Sequence, residues 1–427
     1  MASSSAFNLV QAAEALLERA KKLAAVTNPG DDGNELALRR SIAQTAKKIA
    51  FETAPKIDVV KADWIVIAEV AAWNIFIDWK AFDHIPLQGH ISIPDLARAL
   101  NAQESLVARI SALLLATGKL LPGPYPHTLS HSRISPLYLT TNPVSALCTV
   151  AIGNGMKPYA HWPEYFRAHG RREPAGQTDT PFGFGWGHPE LPPWEVKALY
   201  PDYARCFARS MRSRQMVGGD TVVVGEGALY DLSWVGREAA AEGGDEDEEG
   251  GGGGGGGVVV VDVGGGLGQL LKDVLRDVEG VRPGQCVLQD RREVIEEARA
   301  VGGGELDGVV MMEHDFHEEQ PVKGALVYLV RRILLDYSDT LAAGILRRLA
   351  EALPADNPKA RVIIMEERVL DVPTPQNCIV DLVMLNLGGK LRNEAMFRDL
   401  AAAAGLEVVG YYARDTDSMC VVECARA

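Results

Sequence analysis

The chain has 427 residues, of which 47% are hydrophobic and 23% charged, and it carries a net charge of −14. That length accommodates two or three domains, and the composition is that of an ordinary folded protein. The acidic balance argues against a nucleic-acid binder, which needs a basic face to neutralise phosphates, and against an anionic membrane surface.

The N-terminal stretch MASSSAFNLVQAAEALLERAKKLAAV lacks a basic segment followed by an apolar core. It predicts an amphipathic helix and not a signal peptide. No apolar run approaches the roughly 20 residues of a membrane span, and a cytoplasmic location is expected. Six scattered cysteines, none in a CxxC pair, predict free thiols in a reducing compartment. Residues 1–155 are expected to form a helical domain. In IPDLARALNAQESLVARISALLLATGKLL two short helices meet at Asn101, Ala102 and Gln103, and Pro94 and Asp95 suit a first helical turn. HTLSHSRISPLYLTTNP then predicts a small β-ribbon. Helix, turn, helix and ribbon make a winged-helix pattern without a basic recognition face, and so a packing or dimerisation module.

Residues 156–236 are aromatic-rich and broken by Pro and Gly: HWPEYFRAHG, TPFGFGWGHPELPPW, YPDYARCFARSM. They are expected to line a pocket for a flat apolar substrate, or to form core between domains. Residues 237–257, REAAAEGGDEDEEGGGGGGGG, combine like charges with glycines and predict a disordered linker. From Val258 to residue 427 strands and helices alternate. VVVVDV, QCVLQD, GVVMMEHD, GALVYLVRRIL and ARVIIMEERVL read as strands, and the intervening segments carry helical periodicity. EVVGYYAR and SMCVVECA close as a hairpin. The expected fold is α/β, a doubly wound, mostly parallel sheet with an antiparallel edge hairpin.

A glycine turn closes the first of these strands: Asp262-Val263-Gly264-Gly265-Gly266-Leu267-Gly268. Glycine lets the backbone approach a ligand closely. The dinucleotide pattern would need glycine at 269, where Gln stands. An acidic residue just before the turn repels a pyrophosphate and suits an ammonium group. S-adenosylmethionine has an amino-acid end and no phosphate, so it is the expected cofactor. Asp290, ending the second strand, is placed to accept hydrogen bonds from ribose hydroxyls. Asp315 and Phe316, after the third, are placed for the adenine amino group and ring. His314 and His317 flank Asp315 without further ligands, and no metal site is expected.

VVDVGGGLG, VLQDRREVI, HDF, RRILLDYSD and DLVMLNLGGKLRNEAMFRDLAAAAGL together resemble the plant and fungal small-molecule O-methyltransferases of the caffeate and flavonoid type, over most of residues 90–427. The resemblance implies a class I S-adenosylmethionine-binding domain behind a winged-helix-like front, and a homodimer. It implies that Gly264, Gly265, Gly266, Asp290, Asp315, Phe316 and Arg331 hold the cofactor, with Met211 near the reacting centre. The family pattern RRxLHDWSD supplies a His as general base, but here Leu335 stands in its place. The family's GGKERT has become GGKLRN, with Leu391 for the Glu that orients the His. Glu367, in MEERVL, reads as the retained acidic partner, and Asp336 keeps its place beside the lost base.

The chain is also similar to the fungal pericyclases of the leporin type, which bind S-adenosylmethionine without consuming it. That likeness implies a pericyclic cyclisation of a polyketide-derived substrate, with His161, Asp336 and Glu367 as candidate catalytic residues. Two alternatives stand beside it: methyl transfer to an acidic hydroxyl, and a non-catalytic partner protein.

Overall fold

The computed structural model describes residues 8–25, 32–217, 227–242, 257–301, 303–415 and 417–427. Two compact units divide the chain, Met1–Asn142 and Pro143–Ala427.

In the first unit, helices α1 (Leu9–Ala24), α2 (Asp32–Thr53) and α3 (Lys56–Asp78) precede the winged-helix pattern. That pattern is β1 (Ile91–Ser92), α4 (Ile93–Ala99), α5 (Glu104–Ala116), β2 (Leu120–Pro122) and β3 (Thr128–His131). The start of α4 is set locally. The Ser92 hydroxyl accepts the Asp95 N–H at 3.1 Å, and Pro94 lies in the first turn. Asn101, at φ +50°, turns the chain between α4 and α5. The ribbon is antiparallel, with β3 between β1 and β2. Phe76, Phe82, Leu96, Val107, Leu114 and Leu129 fill the core of this unit.

The second unit begins earlier than the sequence periodicity suggests. Helix α6 (Pro143–Ala151) packs along α11 (Pro201–Val217), burying Ser145, Ala146 and Val150. A π-helical turn (Ile152–Met156), α7 (Lys157–Ala160), α8 (Trp162–Ala168), α9 (Pro181–Trp186) and α10 (Pro193–Ala198) lie between them. Tyr165, Phe182 and Tyr203 are buried in the core here, and most of the other aromatics are half-buried. The Trp186 indole donates to the Gly153 carbonyl at 3.0 Å, and Tyr203 donates to Asn154 Oδ1 at 2.6 Å. Arg237–Glu242, expected in the linker, instead complete helix α12 (Ser233–Glu242), which buries Ala239. Its alanines favour helix. Residues 243–256, the rest of the acidic and glycine run, lie outside the described residues.

The sheet of the second unit runs β6-β5-β4-β7-β8-β10-β9. Its strands are β4 (Val260–Val263), β5 (Cys286–Asp290), β6 (Val310–Glu313), β7 (Val327–Arg331), β8 (Arg361–Glu367), β9 (Leu406–Ala413) and β10 (Met419–Arg426). The first five in that order pair in parallel, and β10 pairs antiparallel to both β8 and β9. Strand β4 is buried on both faces, as a central parallel strand must be, which explains why valines fill it on either side of the one polar residue, Asp262. On one face Val261, Val263, Tyr328, Val330 and Ile364 pack with α15 (Asp339–Ala352) and α17 (Glu394–Ala403). On the other, Val260, Leu288, Leu329 and Ile363 pack with α12, α13 (Gln269–Asp277) and α14 (Arg292–Val301). Helix α16 (Pro375–Leu387), which the sequence reading left undefined, starts at a Thr374 cap and ends at Gly388, φ +90°.

Candidate active site

Strand order reverses between β4 and β7, and the carboxyl ends of strands at such a point are where open α/β sheets bind ligands. A cavity of about 270 Å³ opens there. Gly264, Asp290, Arg291 and His314–His317 line one side; Ile333, Asp336, Tyr337 and Trp194 line the other.

The glycine turn is built for close approach. Gly264 and Gly266 adopt φ +65° and +61°, conformations that L side chains resist. A Cβ at Gly265 would lie 2.3 Å from Asp262 Oδ2. The turn therefore sits directly on the Asp262 carboxylate, which is buried and has no hydrogen-bond partner on either oxygen. Burial pushes that carboxyl up to about 7, against the pull of the Arg331 guanidinium. Asp290 is held by the same turn. Its Oδ2 accepts the Gly266 N–H at 2.9 Å and its Oδ1 the Arg291 N–H at 2.8 Å. Burial raises its carboxyl, and those two bonds oppose the rise. Asp315 accepts the His317 N–H at 2.9 Å, and Phe316 sets its ring edge-on to Tyr337, 5.9 Å away.

These groups fit S-adenosylmethionine. An unpartnered carboxylate under a glycine turn suits a ligand ammonium, Asp290 suits ribose hydroxyls, and Asp315 with Phe316 offers a carboxylate and a ring face to adenine. Among the described residues no group of three His, Cys, Asp or Glu side chains could hold a metal.

The catalytic expectations divide. Asp336 lines the cavity. Arg331 ends β7 and acts on Asp262 rather than lining the cavity. Met211 lies half-buried on α11, outside the cavity lining. His161 is exposed at the junction of α7 and α8, its ring centroid 6.2 Å from that of Phe184. It is not among the residues that line this cavity. Glu367 and its neighbour Glu366 both end β8. Successive strand residues point to opposite faces, and it is Glu366, buried at the end of β8, whose Oε1 accepts the N–H groups of Ile333 and Leu334, both at 2.8 Å. Glu367 instead faces Arg332, 4.0 Å away. Desolvation raises the Glu366 carboxyl to about 8, against those two bonds.

Leu335 and Leu391 sit in one apolar cluster with Phe182, Val196, Met384 and Leu387. The two substitutions away from the family pattern thus meet in space and pack. The backbone around them remains tightly fixed. Arg332, at φ +53°, turns the chain out of β7. The buried Arg392 donates to the Leu334 carbonyl at 2.7 Å and the Tyr337 carbonyl at 2.8 Å, and pairs with Asp339 at 2.9 Å. A Cβ at Gly389 would lie 2.0 Å from the Leu335 carbonyl oxygen, which explains the glycine of GGK.

One side chain beside the site was missed altogether. Lys197, on α10, is 4% exposed and its Nζ has no hydrogen-bond partner. The amine lies 4.0 Å from the ring centroids of both Trp194 and Phe207. Burial pushes its pKa down to about 7, while the Asp336 carboxylate pulls it up. A lysine on a short helix in an aromatic segment gives little sequence signal. Burial reveals it.

Residues 256–407 match the family model described as O-methyltransferase domain. The chain is 37% identical over 392 residues to "Methyltransferase cfoD" of Aspergillus candidus, covering 91% of this chain and 92% of the relative. It is 35% identical over 359 residues to "Methyltransferase pynC" of Aspergillus niger, covering 82% and 92%. Among solved structures, LepI in complex with SAM aligns with a TM-score of 0.74 at 19% identity, covering 98% of this chain and 100% of that one. OxaC in complex with sinefungin and meleagrin aligns at 0.78 and 18% identity, covering 98% and 99%. At those identities the two structures speak for the fold.

Proposed function

The chain belongs to the O-methyltransferase family of fungal methyltransferases, and from that premise we propose that it methylates an acidic O–H or N–H of a fungal small molecule. The cofactor is S-adenosylmethionine, which when bound supplies an activated methyl group on a positively charged sulfur. The observation that carries the reading is a cavity lined by Gly264, Asp290, Asp315 and Phe316, together with an apolar Leu335–Leu391 cluster in place of the family's base. A positioned base contributes roughly 10²–10⁴-fold. Holding the reactants together in the right geometry contributes up to about 7–11 kcal/mol of barrier. An acidic nucleophile therefore needs orientation more than a strong base. Two close relatives named as methyltransferases support transfer.

The same leucine pair favours a second reading, in which a cyclisation leaves the cofactor intact and uses its charge. A unit charge about 4 Å from a developing oxyanion, at an effective dielectric near 20, is worth about 4 kcal/mol. A neighbour of the same fold is titled a pericyclic reaction enzyme, at 20% identity and a TM-score of 0.72. The experiment that separates the readings incubates the protein and S-adenosylmethionine with extract from a host lacking the gene. Stoichiometric release of S-adenosylhomocysteine is expected, and a rearranged product without it would leave only the second reading.

A homodimer belongs to the proposal. Helix α3 leaves Ile57, Val60, Trp64, Ile65, Val66 and Ile67 exposed in the single chain, an apolar surface of the kind that marks an interface.

A further inference from the structure

The cavity at the strand ends is lined by three carboxylates, those of Asp290, Asp315 and Asp336, and by one guanidinium, that of Arg291. The Arg291 side chain is 57% exposed and has a carboxylate of its own in Glu293, 3.8 Å away. Burial pulls the pKa of His314, another lining residue, downward, which favours its neutral ring. The lining therefore carries an excess of negative charge and suits a cation. The rings agree in sign. Trp194, Phe316 and Tyr337 line the same cavity, and aromatic faces attract cations.

Two of the three carboxylates already have neutral parts of the cofactor to serve. Asp290 suits the ribose hydroxyls and Asp315 the adenine amino group. Asp336 is the third. It ends the turn Leu334–Asp336, whose middle residue, Leu335, packs away in the apolar cluster with Phe182 and Leu391. Where the family sets an imidazole next to this carboxylate, the chain has an alkyl group, which brings no positive charge to it.

We propose that Asp336 is the counter-ion of the cofactor's sulfonium, and that through it the protein selects S-adenosylmethionine over S-adenosylhomocysteine by charge. The two ligands differ by one methyl group and one positive charge. Contacts with adenine, ribose and the amino-acid end are common to both and cancel in the comparison. The inference needs S-adenosylmethionine as the cofactor but no particular fate for its methyl group. Where the methyl is transferred, sulfur becomes neutral and the hold of Asp336 on the spent cofactor is lost. Where it is kept, the same carboxylate retains the charged form.

The test is calorimetry of the full chain at pH 8, above the value of about 7 at which the neighbouring Lys197 amine loses its proton. Three ligands are compared: S-adenosylmethionine, S-adenosylhomocysteine, and sinefungin, whose amine carries a positive charge in place of the S-methyl group. Both cations should bind wild type about tenfold or more tighter than S-adenosylhomocysteine, the size of one partly screened charge pair. Asp336→Asn, equal in shape, should remove most of that preference by weakening the two cations alone. Its unchanged affinity for S-adenosylhomocysteine would also report an intact fold. The wild-type ranking needs no variant, and so decides even where the substitution unfolds the chain. S-adenosylhomocysteine binding wild type as tightly as S-adenosylmethionine, or an Asp336→Asn that weakens all three ligands equally, would overturn the role of Asp336. Binding of none of the three to wild type would overturn the cofactor assignment itself.

Discussion

Asp262 and Gly265 show how one residue constrains another. The carboxylate is buried without a hydrogen-bond partner, and only the absence of a Cβ at 265 lets the turn lie over it. Gly265→Ala should therefore displace the turn and weaken S-adenosylmethionine binding by tenfold or more, about 1.4 kcal/mol, as measured by calorimetry; unchanged affinity would remove the turn from the cofactor site. Lys197 carries a stability prediction with a definite sign. Its folded pKa, about 7, lies below its ordinary value of 10.5, so between those pH values the unfolded chain binds the extra proton and stability rises with pH. The burial penalty is fully present below about pH 7. Lys197→Met should raise the melting temperature most at pH 6–7, and the gain should shrink toward pH 10; a pH-independent difference would mean the amine is solvated. At this scale the sequence was legible where glycines and strand-end carboxylates punctuate a pattern, as at Gly264–Gly266, Asp290 and Asp315. It was illegible where two adjacent residues share a chemistry. Glu366 and Glu367 differ by one position and so by the face of the strand they occupy, and nothing in MEERVL says which faces the turn.

At the scale of elements, the turn Leu334–Asp336 brings Asp336 to the cavity lining. From β8, Glu366 accepts the N–H groups of Ile333 and Leu334, and from the loop after α16 Arg392 donates to the carbonyls of Leu334 and Tyr337, on either side of the turn. The segment GGKLRN is thus a clamp on the turn that presents Asp336 to the cavity. Lysine cannot reproduce the guanidinium fork. Arg392→Lys should destabilise the protein by about 1.5–3 kcal/mol and lower turnover more than cofactor affinity; equal turnover would show that the turn needs no brace. The alternation of strands and helices after Val258 was legible because apolar runs of strand length alternate with amphipathic segments, as in VVVVDV followed by GQLLKDVLRDV. Helix α16 was not read as an element, since its apolar residues are spread around the axis and it lacks a clear stripe. Helix α12 reached further than charge patterning suggested because Ala239 packs beneath it.

At the scale of the whole molecule, the boundary between units follows packing rather than periodicity. Helix α6 continues a helical stretch of sequence, yet it is committed to α11. The exposed apolar residues of α3 ask for a partner surface. Trp64 and Ile67, three residues apart on one helix face, are 70% and 63% exposed. Sedimentation should give a dimer for the intact chain and a monomer for Trp64→Glu/Ile67→Glu; a monomeric wild type would contradict the dimer. Among the described residues no helix is long and apolar enough to cross a membrane.

The measurement that bears most directly on the central claim is an accurate mass. The gene is deleted in its host, and the compound that accumulates is weighed against the normal product. The product is expected to be heavier by one CH₂. Equal masses with a different ring skeleton, or a difference of one water, would contradict it and mean that the cofactor is held as a charge and not spent.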